Sequence, residues 1–274
     1  MKKQNVGFVA AVVLSGVSLF GGVPLNSLDG AGGIAFNPLA YLSGVKVEGN
    51  EWVTKPQIGA WYVKLPDSNI EWSSYSVSLS LANRVELSYA SNLINAKDYG
   101  DNSIFANTIG LKVQLVEENA FDTAWVPAVA IGVKYRHPDS DTTDALGLKH
   151  SGADYYIVAT KLITQLPKPV LVSVGLQRSD EVVYGAVGHN HYGTGFFANI
   201  DVLPSENVAI GVEFQQGLKV GDDIENANYW NGHVAWFVTK QLTLVGAYVN
   251  TGNKDKTDKL GVGDGFVLSA QYQF

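Results

Sequence analysis

The 274-residue sequence contains few side chains able to do chemistry, and their types and spacing bound what that chemistry is. The run Gly188-His189-Asn190-His191-Tyr192-Gly193-Thr194 comes nearest to a catalytic set, because a histidine beside a hydroxyl can serve as base to a nucleophile. In an extended segment successive side chains face opposite sides, so His191 and Thr194 point apart. His189 and His191 share a face and could hold a transition metal, but no third ligand accompanies them. Three loops are acidic: Asp139, Asp141 and Asp144 in one, Asp222 and Asp223 in the next, Asp255 and Asp258 in the last. Such oxygens can surround a hard cation, yet none of these runs has the glycine and closing glutamate of a twelve-residue calcium loop, so solvated faces are expected. The absence of cysteine excludes a disulfide scaffold, a thiolate metal site and a thiol nucleophile. No catalytic residue, metal or cofactor is therefore predicted.

What remains is a set of ionisable side chains spread along the chain: Arg84, Glu86, Lys112, Lys134, Arg136, Lys161, Asp201, Glu213 and His233. Each stands between apolar neighbours in segments of period two. Ile109, Leu111, Val113 and Leu115 alternate with Gly110, Lys112 and Gln114, and Val208, Ile210, Val212 and Phe214 with Ala209, Gly211, Glu213 and Gln215. Tyr75, Val77, Leu79 and Leu81 interleave with Ser74, Ser76, Ser78 and Ser80. One face of each strand is apolar and the other small or charged, which places the nine ionisable groups on a common inner face. Charges of both signs there could pair across an interior or line a wet pore.

Twelve such segments are predicted, at 57–65, 70–81, 84–92, 104–116, 127–137, 153–164, 169–178, 191–203, 206–216, 229–238, 241–250 and 265–274. Their length is close to the roughly ten residues a tilted strand needs to cross a bilayer. Short links at 81–84, 166–169, 204–207 and 239–241 alternate with long polar ones at 95–102, 137–151, 179–190, 217–228 and 251–264, the arrangement of short periplasmic turns and longer outer loops. Only 16% of residues are charged, against roughly 25% in soluble domains. The net charge of -7 argues against a nucleic-acid partner. An open sheet in hydrocarbon would leave edge amides unpaired, so closure is required. The expected fold is all-β, an antiparallel up-and-down transmembrane barrel over residues 56–274, with twelve strands, or fourteen if residues 31–48 supply two more. Aromatic girdles are expected from Trp61, Tyr62, Trp72, Tyr135, Tyr192, Trp230, Trp236 and Tyr248.

Both ends of the chain carry addresses. Lys2 and Lys3 precede an apolar run from Val6 to Phe20, so residues 1–22 are predicted to be a signal peptide, the rival being a retained anchor helix. Phe266, Leu268, Ala270, Tyr272 and Phe274 alternate to the last residue, as in the closing strands of bacterial outer-membrane proteins; Phe266, Leu268, Tyr272 and Phe274 are the expected signal to the barrel-assembly machinery. Residues 23–55, rich in glycine from Gly30 to Gly33, are expected to form a plug.

The block from Leu28 to Ala40, the RVELSYA of Arg84 to Ala90, the GLKVQLV of Gly110 to Val116 and the WVPAVAIGVKY of Trp125 to Tyr135 resemble the uncharacterised proteobacterial family filed as domain of unknown function 3034. The sequence departs from that family's Val-Pro-Trp after the glycines, having Phe36-Asn37-Pro38 instead. The resemblance implies a barrel in the bacterial outer membrane, in contact with its lipid and lipopolysaccharide, and carries over no catalytic residue. Three functions follow as expectations. One is a narrow channel for small polar or ionic solutes; another is a closed structural or surface-binding barrel. The third is a lipid hydrolase, for which His191 lacks the neighbouring serine.

Overall fold

A computed structural model describes residues 25–97, 102–145, 147–182, 184–222, 224–253 and 259–274. The expected signal segment 1–22 lies outside these residues, as do Asp223, Asp255 and Asp258.

Twelve antiparallel strands form the wall: β1 (Gln57–Leu65), β2 (Ile70–Leu81), β3 (Val85–Ala96), β4 (Asn102–Val116), β5 (Ala128–Pro138), β6 (Gly152–Ile163), β7 (Val170–Val182), β8 (Val187–Ser205), β9 (Val208–Gln215), β10 (Tyr229–Phe237), β11 (Leu242–Asn250) and β12 (Asp264–Gln273). Each pairs with its neighbour in sequence, and β1 closes on β12 from Gln57 opposite Gln273 to Lys64 opposite Phe266. A closed sheet of this kind has no edge. One helical turn, α1 (Ser140–Ala145), sits in the β5–β6 loop. The barrel end at which β1 begins and β12 finishes is here the terminal end. Residues 31–48 add no wall strand; the segment before β1 makes the isolated bridges Asn26 to Gly32 and Gly33 to Pro38.

The period-two pattern fixes the two faces. Ser74, Ser76, Ser78 and Ser80 on β2 are buried, whereas Tyr75 and Val77 are exposed. Ile109, Leu111, Ile131, Val174, Leu176, Ile200, Ile210, Val212, Val234, Leu244 and Leu268 are likewise exposed, giving an apolar coat around the cylinder. Tyr62, Tyr135, Trp230, Trp236 and Tyr248 belong to that coat, and so do Phe266, Tyr272 and Phe274. Trp61 and Trp72 do not belong to the girdle expected of them. They are 2% and 5% exposed and face the axis, because β1 is apolar on both faces, the start of β2 is apolar on its inner face only, and that inner face packs on Leu28 and Phe36.

Large inner side chains lie across glycines on the facing strand. Tyr156 stands opposite Gly132, and Phe197 opposite Gly175. A Cβ on Gly175 would enter the Phe197 ring and come within 2.7 Å of the Ile157 carbonyl oxygen. Gly175→Val is therefore expected to cost about 1–3 kcal/mol through overpacking, read as a lower urea midpoint of the folded barrel. Gly232→Val, where no atom lies within 4 Å of the added Cβ, should leave the midpoint nearly unchanged.

Candidate functional site

The site is the barrel interior, and the chain before β1 occupies it. Leu25 to Ser43 are almost all buried, and residues 45–52 emerge at the terminal end, where the Ala82 amide donates to the Trp52 carbonyl (2.7 Å) beside the β2–β3 turn. Eight strands hold this segment through inward polar side chains: β1, β2, β3, β4, β5, β6, β9 and β12. The inner serines of β2 show why small hydroxyls stand there. Ser74 donates to the Leu28 carbonyl (2.7 Å), Ser78 to Asn26 Oδ1 (3.0 Å) and Ser80 to the Ser43 carbonyl (2.7 Å). Gln114 donates to the Ala40 carbonyl (3.0 Å), and Thr160 accepts from the Ala40 amide (2.9 Å).

The charged groups make four clusters. Glu86 and Lys112, each 1% exposed, form a 3.1 Å ion pair that ties both limbs of the segment. Lys112 Nζ donates to the Gly32 and Tyr41 carbonyls (2.8 and 2.9 Å), and Glu86 accepts from the Gly32 and Ser43 amides (2.8 and 2.6 Å). Lys134 meets Asp29 of the segment at 2.5 Å. Glu213 receives the amides of Phe36 (3.1 Å) and Asn37 (3.0 Å) and the side chain of Asn231 (2.5 Å). From Asn231 the chain of polar contacts continues to His233 (2.9 Å), then to Asp201 (2.6 Å), which Asn199 also bonds (2.9 Å).

The fourth cluster joins wall to loop. Arg136 makes a forked contact with Asp154 (2.8 and 3.0 Å) and reaches Asp180, which Lys149 of the β5–β6 loop meets at 3.0 Å. Beside it, Glu181 accepts from Gln177 (3.0 Å) and Gln215 (2.5 Å). Isolated buried charges would be very costly, and each of these is matched by an opposite charge or by several donors.

Aromatic residues fill the end opposite the terminal one. Phe36 stacks on Tyr184 of the β7–β8 link with centroids 4.5 Å apart, and Trp72 and Tyr229 flank Tyr184 at 6.3 and 6.1 Å. The Tyr184 phenol donates to the Phe36 carbonyl. Burial holds that phenol well above its ordinary pKa, so it stays a donor. Phe36 and Asn37 thus occupy the run that departs from the family pattern: one fills the aromatic lid, and the other donates to the Ala198 and Phe214 carbonyls (3.2 Å each). At the terminal end a cavity of about 200 Å³ remains, lined by Tyr41, Ser43, Lys46, Gln114, Glu117 and Glu118 among others. Burial, and then Glu118, push the Tyr41 phenol upward, and it donates to Glu118 Oε2 (2.9 Å).

Of the nine ionisable residues placed inside from sequence, Glu86, Lys112, Lys134, Arg136, Asp201, Glu213 and His233 are buried in the interior. Arg84 and Lys161 are not. Arg84 lies in the β2–β3 turn, exposed, with Glu117 at 3.1 Å. Lys161 shares the outward parity of Tyr155 and Ile157 and turns to Glu118 (3.0 Å) at the terminal end. On β6 the inward residues Tyr156, Val158 and Leu162 are as apolar as the outward ones, which erases the alternation and hides Asp154. Asp180 and Glu181 escape for another reason: a register shift between Ser179 and Glu181 breaks the period. His191 is exposed, and Thr194 accepts from Arg178 at 3.4 Å, so the two make no dyad. His189 Nδ1 lies 3.1 Å from the Val220 carbonyl, and the expected 179–190 loop is mostly strand, leaving only 183–186 as the link.

A family model described as Protein of unknown function (DUF3034) matches residues 21–271. No curated protein matches the chain. Among solved structures, the KdgM porin is 12% identical with a TM-score of 0.55, over 80% of this chain and 99% of that one. The NanC porin is 9% identical with a TM-score of 0.55, over 79% and 100%. The Salmonella typhi outer membrane phospholipase (OMPLA), solved as a dimer with bound calcium, is 11% identical over 84% and 94%, with a TM-score of 0.47. At these identities the likeness is one of fold: a closed barrel of porin type.

Proposed function

The chain belongs to the family described as Protein of unknown function (DUF3034), and we propose that it works in the bacterial outer membrane as a barrel closed at rest by its own residues 25–44. When that segment withdraws, the polar wall becomes a narrow passage for small polar or ionic solutes. The apolar coat supports membrane placement, since a soluble protein rarely exposes a contiguous apolar surface of that extent. One observation carries the channel reading. Glu86, Lys112 and Glu213 bind main-chain groups of a segment that is not part of the wall, and water can replace those partners. The outward Phe266, Leu268, Tyr272 and Phe274 are proposed to engage the assembly machinery, with outer-membrane lipid and lipopolysaccharide as the surrounding partners. With His191 and Thr194 apart, an enzyme is not proposed.

A second reading, a permanently closed structural or surface-binding barrel, is favoured by the Arg136 cluster, which joins wall and loop without any segment residue. Planar bilayers separate the two. The intact protein should be silent, and a variant lacking residues 25–44 should give discrete conductance steps. A deletion variant that is folded, by heat-modifiable migration, and still silent overturns the channel and leaves the closed barrel.

A further inference from the structure

We propose that Arg178, Lys149 and Tyr192 form a binding site for the phosphate group of a lipid headgroup at the rim opposite the terminal end; this rests on the membrane reading above. The outward residues of β7 run Val172, Val174, Leu176 and then Arg178. The register shift that follows turns Asp180 inward, so Arg178 is the last outward side chain of its strand. It therefore ends the apolar coat at the depth where headgroups begin, the level to which long cationic side chains reach.

The local geometry is that of a prepared anion site. The guanidinium lies 5.7 Å from the Tyr192 ring centroid, and the Lys149 ammonium lies 5.5 Å from the same centroid. Tyr192 is fixed by its Oη, which accepts from the Ala153 amide at 3.3 Å. Of the guanidinium's five N–H groups, one is directed at Thr194 Oγ1 (3.4 Å). Asp180, buried, takes Arg136 on one oxygen and one N–H of Lys149 on the other (3.0 Å), which leaves the Lys149 ammonium two further donors, and Asp144 faces His150 at 2.5 Å. Two cations set about one ring, one of them a planar guanidinium, suit a phosphate, which accepts such a fork in two parallel bonds. Tyr155, opposite Arg178 on β6 and exposed, supplies an apolar surface for the lipid's first carbons.

The test titrates one lipid, with and without its phosphate, into the folded full chain in detergent, with occupancy read by native mass spectrometry. The phosphorylated form should bind roughly ten-fold tighter or more, the worth of a charge-assisted hydrogen bond. Arg178→Gln and Lys149→Gln should each erase most of that preference. Lys149 is a partly exposed loop residue, so its variant decides the matter if Arg178→Gln is not recovered folded. Inorganic phosphate that fails to displace the lipid at millimolar concentration assigns the site to a headgroup; displacement well below that assigns the same chemistry to free phosphate. Equal affinity for the two lipid forms, or a preference unchanged in both variants, overturns the site. A protein that stays dissolved without detergent instead overturns the membrane reading.

Discussion

Lys112→Met is expected to destabilise the folded barrel by about 3–5 kcal/mol, the usual cost of removing one partner from a buried ion pair. The lysine neutralises Glu86 where neither side chain reaches water, and it also satisfies the Gly32 and Tyr41 carbonyls. After the change the Glu86 carboxylate keeps only the Gly32 and Ser43 amides and has no opposite charge. Urea unfolding of the reconstituted protein, followed by tryptophan fluorescence, gives the size of the loss. Adding Glu86→Gln should restore part of it, because the uncompensated charge goes; a double-mutant cycle should report a coupling of about 2 kcal/mol, as contacting residues show. Arg84→Gln, which breaks an exposed pair with Glu117, should change stability by less than about 1 kcal/mol. A Lys112→Met loss as small as that of Arg84→Gln would mean that the pair does not hold the segment.

Arg136→Met should cost at least as much, about 5 kcal/mol, because one guanidinium serves two buried carboxylates. Asp154 and Asp180 lie on neighbouring strands and are 2% and 0% exposed; Asp180 would keep Lys149, and Asp154 would lose its forked partner. The damage should be local to the β5–β8 sector. Hydrogen exchange is expected to quicken in the amides of β6, β7 and the 183–186 link, while the β11–β12–β1 seam keeps its protection. Arg136→Met combined with Asp154→Asn should recover part of the stability. Uniform loss of protection around the barrel would instead show that the cluster supports the whole wall.

The contrast between these clusters explains what could be read from sequence. Strand number and most strand limits follow from period two because one face meets water or polar groups while the other is apolar, as on β4 and β9. The pattern fails where the inner face packs on the segment. On β1 and β6 both faces are apolar, so Trp61 and Asp154 look outward-facing or undistinguished, and Lys161 gets the wrong side. Alternation with apolar neighbours placed Lys112 and Glu86 indoors, but their main-chain partners lie 80 and 54 residues away, which no spacing rule encodes. The acids on β7 depend on a bulge, and this one has no glycine at Ser179 to Glu181 to mark it.

The segment inside the barrel also sets an order of events. Asn26 bonds Gln271, 245 positions later, and the same end of the chain supplies β12, on which β1 must close. The start of the segment, which also meets β2, thus lacks one of its partners until the final strand is made. Contacts that distant slow folding, because the loop entropy is lost before any bond repays it. Sealing of the cylinder and the last grip on its occupant become one terminal event, so an assembly stalled before β12 would lack the Gln271 hold on Asn26.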